Sequence, residues 1–389
     1  MKQETWSNQK TEKFREDLLA WYHSEKRDLP WRKNTDPYRV WVSEIMLQQT
    51  QVVTVIPYFN HFLSEFPTIK GLANAPEDKL LKAWEGLGYY SRVKNMQAAA
   101  QDIMERFDGH MPNNPQDILS LKGIGPYTGG AISSIAFNLA EPAVDGNVMR
   151  VYSRLFGIDD DIMLPKTRRV FEEKVRKTIS RDEPGDFNQA LMDLGARICT
   201  PKKPSCKTCP VKEYCLALKT NQVDQLPVKK KKEKPVPLYY VAIVLQNELG
   251  AYLLTKRPSD GLLANMWTFP LVEVDELTYK QLKHQEKFAD HQELSLFDQV
   301  ADESEVYLFS AMLTDYPNIK MKEYHHGEVT HVFSHRKWHI LALEGRVDGL
   351  SSYQLKPREE WVYPEKFKDY PFPKPQQKLL SLLKKVENN

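Results

Sequence analysis

The sequence predicts a multidomain chain: an all-α region over residues 1–225, a short linker, and an α+β domain over 238–389. Three observations predict it. Helical periodicity with proline- and glycine-marked ends fills the first part, and strand-like alternation is absent before about residue 236. Residues 226–237 read LPVKKKKEKPVP, a lysine run bounded by prolines, which is the composition of a solvated and extended spacer. Beyond it, short β-branched and aromatic runs take over. At 389 residues the chain can bury two or three cores. Its net charge of only +2 means that any nucleic-acid surface must be a local patch. The opening residues lack an apolar signal region and no apolar run reaches membrane-spanning length, so a cytoplasmic protein with no membrane association is expected. A monomer is expected as well.

In chain order, Phe14, Leu18, Leu19 and Tyr22 make residues 11–27 an amphipathic helix. Leu29-Pro30-Trp31-Arg32 reads as loop, Asp36-Pro37-Tyr38 as a helix start, and Val40 to Val55 as one strongly apolar helix. Helical signals continue over 76–85 and 91–107, broken at Gly86-Leu87-Gly88-Tyr89-Tyr90. Asn114-Pro115 is an N-cap and first helical residue, and Gly123 ends that helix. Pro126 can start the next, because a first-turn N–H has no intrahelical partner to lose. Residues 121–150 are therefore helix, tight glycine turn, helix, and the bare backbone at Gly123 and Gly125 can approach a phosphate closely. In the second domain, strands are expected at 239–245, 251–255, 267–274, 307–313 and 338–343, with a hairpin at Asn247-Glu248-Leu249-Gly250 and a closing helix over 375–386.

Two carboxylates need explaining. Glu44 lies on the apolar helix among Trp41, Val42, Ile45 and Leu47, where poor solvation of the charged form would keep a proton available near neutral pH. Residue type alone leaves open a polar seam in which Glu44 pairs with an Arg or Lys. Asp145, before Gly146-Asn147, is an ordinary N-cap for the following helix, and a helix N-terminus also favours an ionised carboxylate. One protonated and one ionised carboxyl group together can cleave a glycosidic bond. All four cysteines, Cys199, Cys206, Cys209 and Cys215, fall in one loop with lysines between them. Four thiolates so close can hold one centre, and spacing alone leaves zinc and an iron–sulfur cluster equally open.

GIGPYTGGAISSIAF followed by VDGNVMRV, the cysteine loop, and WVSEIMLQQTQV together resemble the helix-hairpin-helix DNA glycosylases that carry a [4Fe–4S] cluster, most closely their adenine-specific MutY branch. The resemblance covers essentially the whole chain. It implies a [4Fe–4S] cluster on the four cysteines. It also implies that Glu44 protonates N7 of a flipped adenine and that Asp145 stabilises the sugar cation, with Tyr127 and Asn147 orienting the pair. Trp31, Arg32, Leu47 and Val52 match positions lining the adenine pocket, and Gln189 a further base contact. Gln49 and Tyr89 match residues that wedge into the duplex, with Thr50 and Leu87 beside them as substrate contacts. Gly123 and Gly125 would meet the DNA backbone. Lyase relatives of the endonuclease III kind place a lysine where Tyr127 stands, so base removal without an efficient lyase step is expected.

The second domain resembles the Nudix fold through Lys256-Arg257-Pro258, Gly261 to Trp267 and Phe269-Pro270. Residues 271–300 lack the acidic magnesium helix of a working hydrolase, and their acids read as a solvated helix face. The resemblance implies that Phe333, Ser334 and His335 read 8-oxoguanine in double-stranded DNA that carries adenine opposite it. The alternatives are an endonuclease III-like glycosylase/lyase for damaged pyrimidines, a nucleotide-pool hydrolase, and a non-catalytic DNA-binding module.

Overall fold

A computed structural model describes residues 6–230, 234–284, 320–347 and 353–387. The chain divides into two compact units, Met1–Ala75 with Ser91–Lys232, and Pro76–Tyr90 with Glu233–Asn389.

The first unit is helical. Ser7 caps α1 (Asn8–Glu25) by accepting the Lys10 N–H at 3.2 Å, and the helix buries Phe14, Leu18, Leu19 and Tyr22. Asp36 caps α2 (Pro37–Leu47) through the N–H groups of Tyr38 and Arg39. The single helix expected over 40–55 is two helices. The chain breaks at Gln48–Gln51, with Gln49 at φ +58°, before α3 (Val52–Glu65) resumes. The sequence hides this break because no glycine or proline marks it; what closes α2 is tertiary, the Arg92 guanidinium donating to the carbonyls of Ile45 at 2.7 Å and Gln48 at 2.8 Å. The short α4 (Ile69–Ala73) follows. In the second unit α5 spans Glu77–Ala83, and the first unit continues with α6 (Ser91–Arg106). Asn114 caps α7 (Pro115–Ser120), and Gly123, at φ +81°, turns the chain into α8 (Pro126–Phe137). A side chain at Gly123 would strain the turn and collide with Asn95 Cβ at 2.7 Å. Asp145 caps α9 (Gly146–Phe156), and α10 (Pro165–Thr178), α11 (Pro184–Arg197) and α12 (Leu216–Lys219) complete the unit. Phe14, Tyr152, Phe171 and Phe187 meet between α1, α9, α10 and α11 in one core. Truncating Phe187 there would cost ~3–5 kcal/mol.

The expected linker is shorter than its composition suggests. Leu226 is buried, its carbonyl accepts the Arg154 Nε–H at 2.9 Å, and the Val228 carbonyl accepts the Ile162 N–H at 3.1 Å. The lysine-rich stretch thus begins as part of the helical unit.

The second unit contains a mixed sheet, seven-stranded among the described residues: β1 (Val236–Asn247), β2 (Tyr252–Lys256), β3 (Trp267–Thr268), β4 (Leu271–Val274), β5 (Lys320–Val332), β6 (Arg336–Val347) and β7 (Glu359–Val362). The order is β3-β2-β1-β6-β5, with β4 on β1 and β7 on β2; β1 and β6 run parallel and the other pairs antiparallel. Asn247 Oδ1 accepts the Leu249 and Ala251 N–H groups and so closes the β1–β2 hairpin. The strand expected over 267–274 is divided at Phe269-Pro270, where the missing proline N–H interrupts the ladder. Strands β5 and β7 were not foreseen, and the strand expected over 307–313 lies outside the described residues. Helix α13 (Glu276–His284) contacts β1, and α14 (Lys374–Glu387) contacts β5.

Candidate active site

Glu44 comes from the last part of α2 and is only 5% exposed. Tyr127, in the first turn of α8, donates its hydroxyl to Glu44 Oε2 at 2.5 Å and stands 3.7 Å from Met192 Sδ. Asp145 ends an extended segment that packs tightly on α8, since a Cβ on Gly130 would sit 2.0 Å from the Pro142 carbonyl oxygen. Asn188 fixes that segment from α11: its amide donates to the Glu141 carbonyl and Ser134 Oγ, both at 2.9 Å, and accepts the Ala143 N–H at 3.2 Å. Asp145 accepts the Val148 N–H at 2.7 Å and Asn147 Nδ2 at 2.7 Å.

Asn147 in turn accepts Arg150 Nη2 at 2.9 Å, and Arg150 reaches the carbonyls of Gly195 and Cys199, each at 2.7 Å. A chain of hydrogen bonds therefore runs from the cysteine loop through Arg150 and Asn147 to the Asp145 carboxylate. It requires α9 and α11 to touch: a Cβ on Gly195 would meet Asn147 Cβ at 2.7 Å.

The electrostatics separate the two acids. Burial pushes the Glu44 carboxyl up to about 7, with the Asp145 charge adding to the rise and the Tyr127 hydrogen bond and Arg32 opposing it. Burial also raises Asp145, against the ionised form that its helix N-terminus was expected to favour. The Val148 N–H, the Asn147 amide and the Arg150 charge pull Asp145 back toward the ionised form. These donors favour the ionised form of Asp145, and among the described residues Glu44 has no matching set beyond the Tyr127 hydroxyl and the Arg32 charge.

The other expected site residues fall into several groups. Trp31 is buried, its ring edge-on to Phe59 at 5.4 Å. Arg32 is spent on Asp193, with Nη1 and Nη2 on the two carboxylate oxygens at 2.9 and 3.1 Å, and it lies 5.6 Å from the Tyr22 ring centre. Leu47 ends α2, Gln49 and Thr50 form the turn, and Val52 opens α3. Thr50 donates its N–H to the Leu47 carbonyl at 3.2 Å. Gln189, on α11, donates to Asp186 Oδ1 at 3.4 Å. Gly123 and Gly125 are exposed, and a Cβ on Gly125 would meet open space. In the second unit Leu87 is buried, Tyr89 is half exposed at φ +47°, and its hydroxyl lies 3.1 Å from Ser334 Oγ. Phe333, Ser334 and His335 form the turn between β5 and β6, with Phe333 edge-on to Trp338 at 5.0 Å.

Comparison with known proteins gives this arrangement relatives. Residues 42–179 match the HhH-GPD superfamily base excision DNA repair protein family, and residues 240–382 the NUDIX domain. The adenine DNA glycosylase of Rattus norvegicus is 36% identical, covering 92% of this chain and 75% of its own length. That of Buchnera aphidicola subsp. Schizaphis graminum is 33% identical, covering 95% and 99%. The chain belongs to the adenine DNA glycosylase family. Among solved structures, a thermostable thymine-DNA glycosylase matches with a TM-score of 0.51 and 28% identity, over 55% of this chain and 98% of that one.

Cys199, Cys209 and Cys215 pack against one edge of the helical core, with Cys206 in the same loop. A single tetrahedral zinc would draw the sulfurs to about 3.8 Å from one another. Among the described residues no three of these sulfurs lie within 4.8 Å. Arg154, only 2% exposed on α9, donates to Cys199 Sγ at 3.2 Å and to the Thr200 carbonyl at 2.9 Å. Arg150, Arg154, Asn188 and Asp193 are site-shaping residues that the sequence reading missed. The one signal available was two arginines, four apart, on the buried helix that Asp145 caps.

Proposed function

We propose that the protein excises adenine from duplex DNA in which it stands opposite 8-oxoguanine, by hydrolysis of the N-glycosidic bond. The observation that carries this reading is the buried Glu44 carboxyl, raised to about 7 and paired with Tyr127. Tyr127 occupies Oε2 and leaves Oε1 to carry the proton toward a flipped purine. Protonating N7 lets the electron pair of the C1′–N9 bond leave with the base. The Asp145 carboxylate, held by the Val148 N–H and the Asn147 amide, meets the positive charge left on the sugar, and water then adds at C1′.

A [4Fe–4S] cluster on Cys199, Cys206, Cys209 and Cys215 would cross-link the loop and leave no open coordination position for a substrate. The C-terminal domain would read the lesion, with the Ser334 hydroxyl able to donate or accept at the two 8-oxoguanine atoms that differ from guanine. The protein would act as a cytoplasmic monomer. Tyr127 cannot form a Schiff base, so no efficient strand cleavage should accompany base loss.

The test is duplex carrying adenine opposite 8-oxoguanine, incubated with the protein and assayed for scission with and without alkali. Scission only after alkali supports the reading. Scission at the same rate without alkali would restore the glycosylase/lyase alternative, and no adenine release would remove the activity altogether.

A further inference from the structure

Residues 76–90 lie inside the helical region in sequence but pack with the C-terminal unit. Gly86, Gly88 and Tyr89 all adopt positive φ, at +100°, +70° and +47°, in a turn that Trp84 Nε1 braces through the Gly88 carbonyl at 3.1 Å. Contacts to the C-terminal domain run along the segment. At the start of α5, Asp78 meets Lys256 at 2.7 Å and both Glu77 carboxylate oxygens accept Asn265 Nδ2 at 2.9 Å. Further along, Lys82 Nζ donates to the Tyr370 carbonyl at 3.1 Å and Gln377 Nε2 to Glu85 Oε1 at 2.7 Å. At the tip, Tyr89 and Ser334 share a hydroxyl contact.

We infer that the C-terminal domain positions the wedge residue Tyr89 by latching the whole 76–90 segment, and that Asn265 is the positioning residue of that latch. Asn265 is built for this. Its backbone is left-handed, φ +61°, a conformation that asparagine tolerates better than most residues. Its Oδ1 accepts Arg358 Nη2 at 2.8 Å, which turns both amide hydrogens toward Glu77. Arg358 is itself pinned by the Lys256 carbonyl at 3.0 Å, so the amide cannot flip without losing both partners. Glu77 and Asp78 occupy the first turn of α5, where the helix end favours their charge. Lone surface ion pairs contribute little, but contacts to a carboxylate from a preoriented amide are charge-assisted and directional. Lesion reader and wedge would then move as one body, although Asn265 and Glu77 need touch no DNA.

This inference rests on the proposed roles of Tyr89 and Ser334. The test variant is Asn265→Asp, which keeps size and tolerates the backbone but sets a carboxylate against Glu77 and removes both donors. Adenine release opposite 8-oxoguanine and opposite guanine is compared in single-turnover assays, with 2-aminopurine beside the lesion reporting insertion of the wedge. Asn265→Asp should lower the preference for 8-oxoguanine about tenfold at subsaturating enzyme and weaken the insertion signal toward that of Tyr89→Ala, at a saturated rate near wild type. Adding Glu77→Gln, which can donate to the new carboxylate, should restore both. If Asn265→Asp folds poorly, Glu77→Ala breaks the same contact from the other side. Unchanged preference in these variants, or no restoration in the double variant, overturns the latch. Unchanged preference in Tyr89→Ala and Ser334→Ala overturns the reading beneath it and the latch with it; a loss there with none in Asn265→Asp overturns the latch alone.

Discussion

Replacing Tyr127 with phenylalanine should move the alkaline limb of adenine release to higher pH. Glu44 acts protonated, so the rate is flat below its pKa and falls tenfold per unit above it. Burial places that pKa at about 7, with the Asp145 charge raising it and the Tyr127 hydroxyl and Arg32 lowering it. Removing the hydroxyl withdraws a hydrogen bond to the charged form, an interaction of ~1.5–3 kcal/mol. At ~1.4 kcal/mol per unit, the limb should rise by about one to two units. The phenol does not titrate in this window, because burial and the nearby Glu44 hold it well above its ordinary value. The plateau below the limb should fall as well, since Oε1 is no longer aimed by a partner on Oε2. Single-turnover release from pH 5 to 9, with enzyme in excess over an adenine·8-oxoguanine duplex, measures both. A limb that stays in place or moves to lower pH would refute the assignment of Glu44 as an acid restrained by Tyr127.

Glu44→Gln should abolish release and stabilise the fold. A carboxyl whose folded pKa is raised binds its proton more tightly when folded, so its favourable contribution is lost as pH rises through about 7. The variant should therefore exceed wild type by up to ~3 kcal/mol at pH 8 and by much less at pH 5 in denaturant melts; an equal difference at both would contradict the burial account. Asp145→Asn should leave duplex binding intact and reduce release to background, as gel shift and base-release assays would register. Near-normal turnover would make Asp145 only a cap. Asp193→Ala should cost ~3–5 kcal/mol in urea unfolding, because it strands Arg27 and Arg32 around a fully buried position; a loss below ~1 kcal/mol would show that water takes over the pair.

Much of the site was legible because its chemistry leaves local marks. Asn114-Pro115, Pro126 and Asp145 carry their caps in residue type, and the structure places each where those rules do; the helix expected to run up to Gly123 ends earlier, at Ser120, and Gly123 makes the turn beyond it. Glu44 was conspicuous as a lone acid on an apolar helix. What stayed hidden depends on partners distant in sequence. The break after Leu47 is held by Arg92, the Asp145 segment by Asn188, and Arg32 is committed to Asp193. The Asn147–Arg150–Cys199 chain needs α9 and α11 in contact, which periodicity cannot report. Strand β5 was missed because KMKEYHHGEVTHV is polar and irregular, and its ladder with β6 shifts register between Met321 and Glu328. Strand β7 is four residues long and half charged, too short for a pattern.

The assignment of residues 76–90 to the C-terminal unit also has a consequence for how the protein is made. Helix α5 leaves the ribosome early, whereas Gln377, which holds Glu85, is translated almost three hundred residues later. At ~5–20 residues per second, that gap lasts roughly a quarter of a minute to a minute. Until Lys256 and Asn265 emerge, the nascent helical unit can complete its own core while the contacts of residues 76–90 to the C-terminal unit are unmade. A chain interrupted between the helical unit and Lys256 would retain Glu44 and Asp145 without Lys256, Asn265, Tyr370 or Gln377 to dock that loop, so such truncated messages should yield a protein that keeps its acids and has lost its aim.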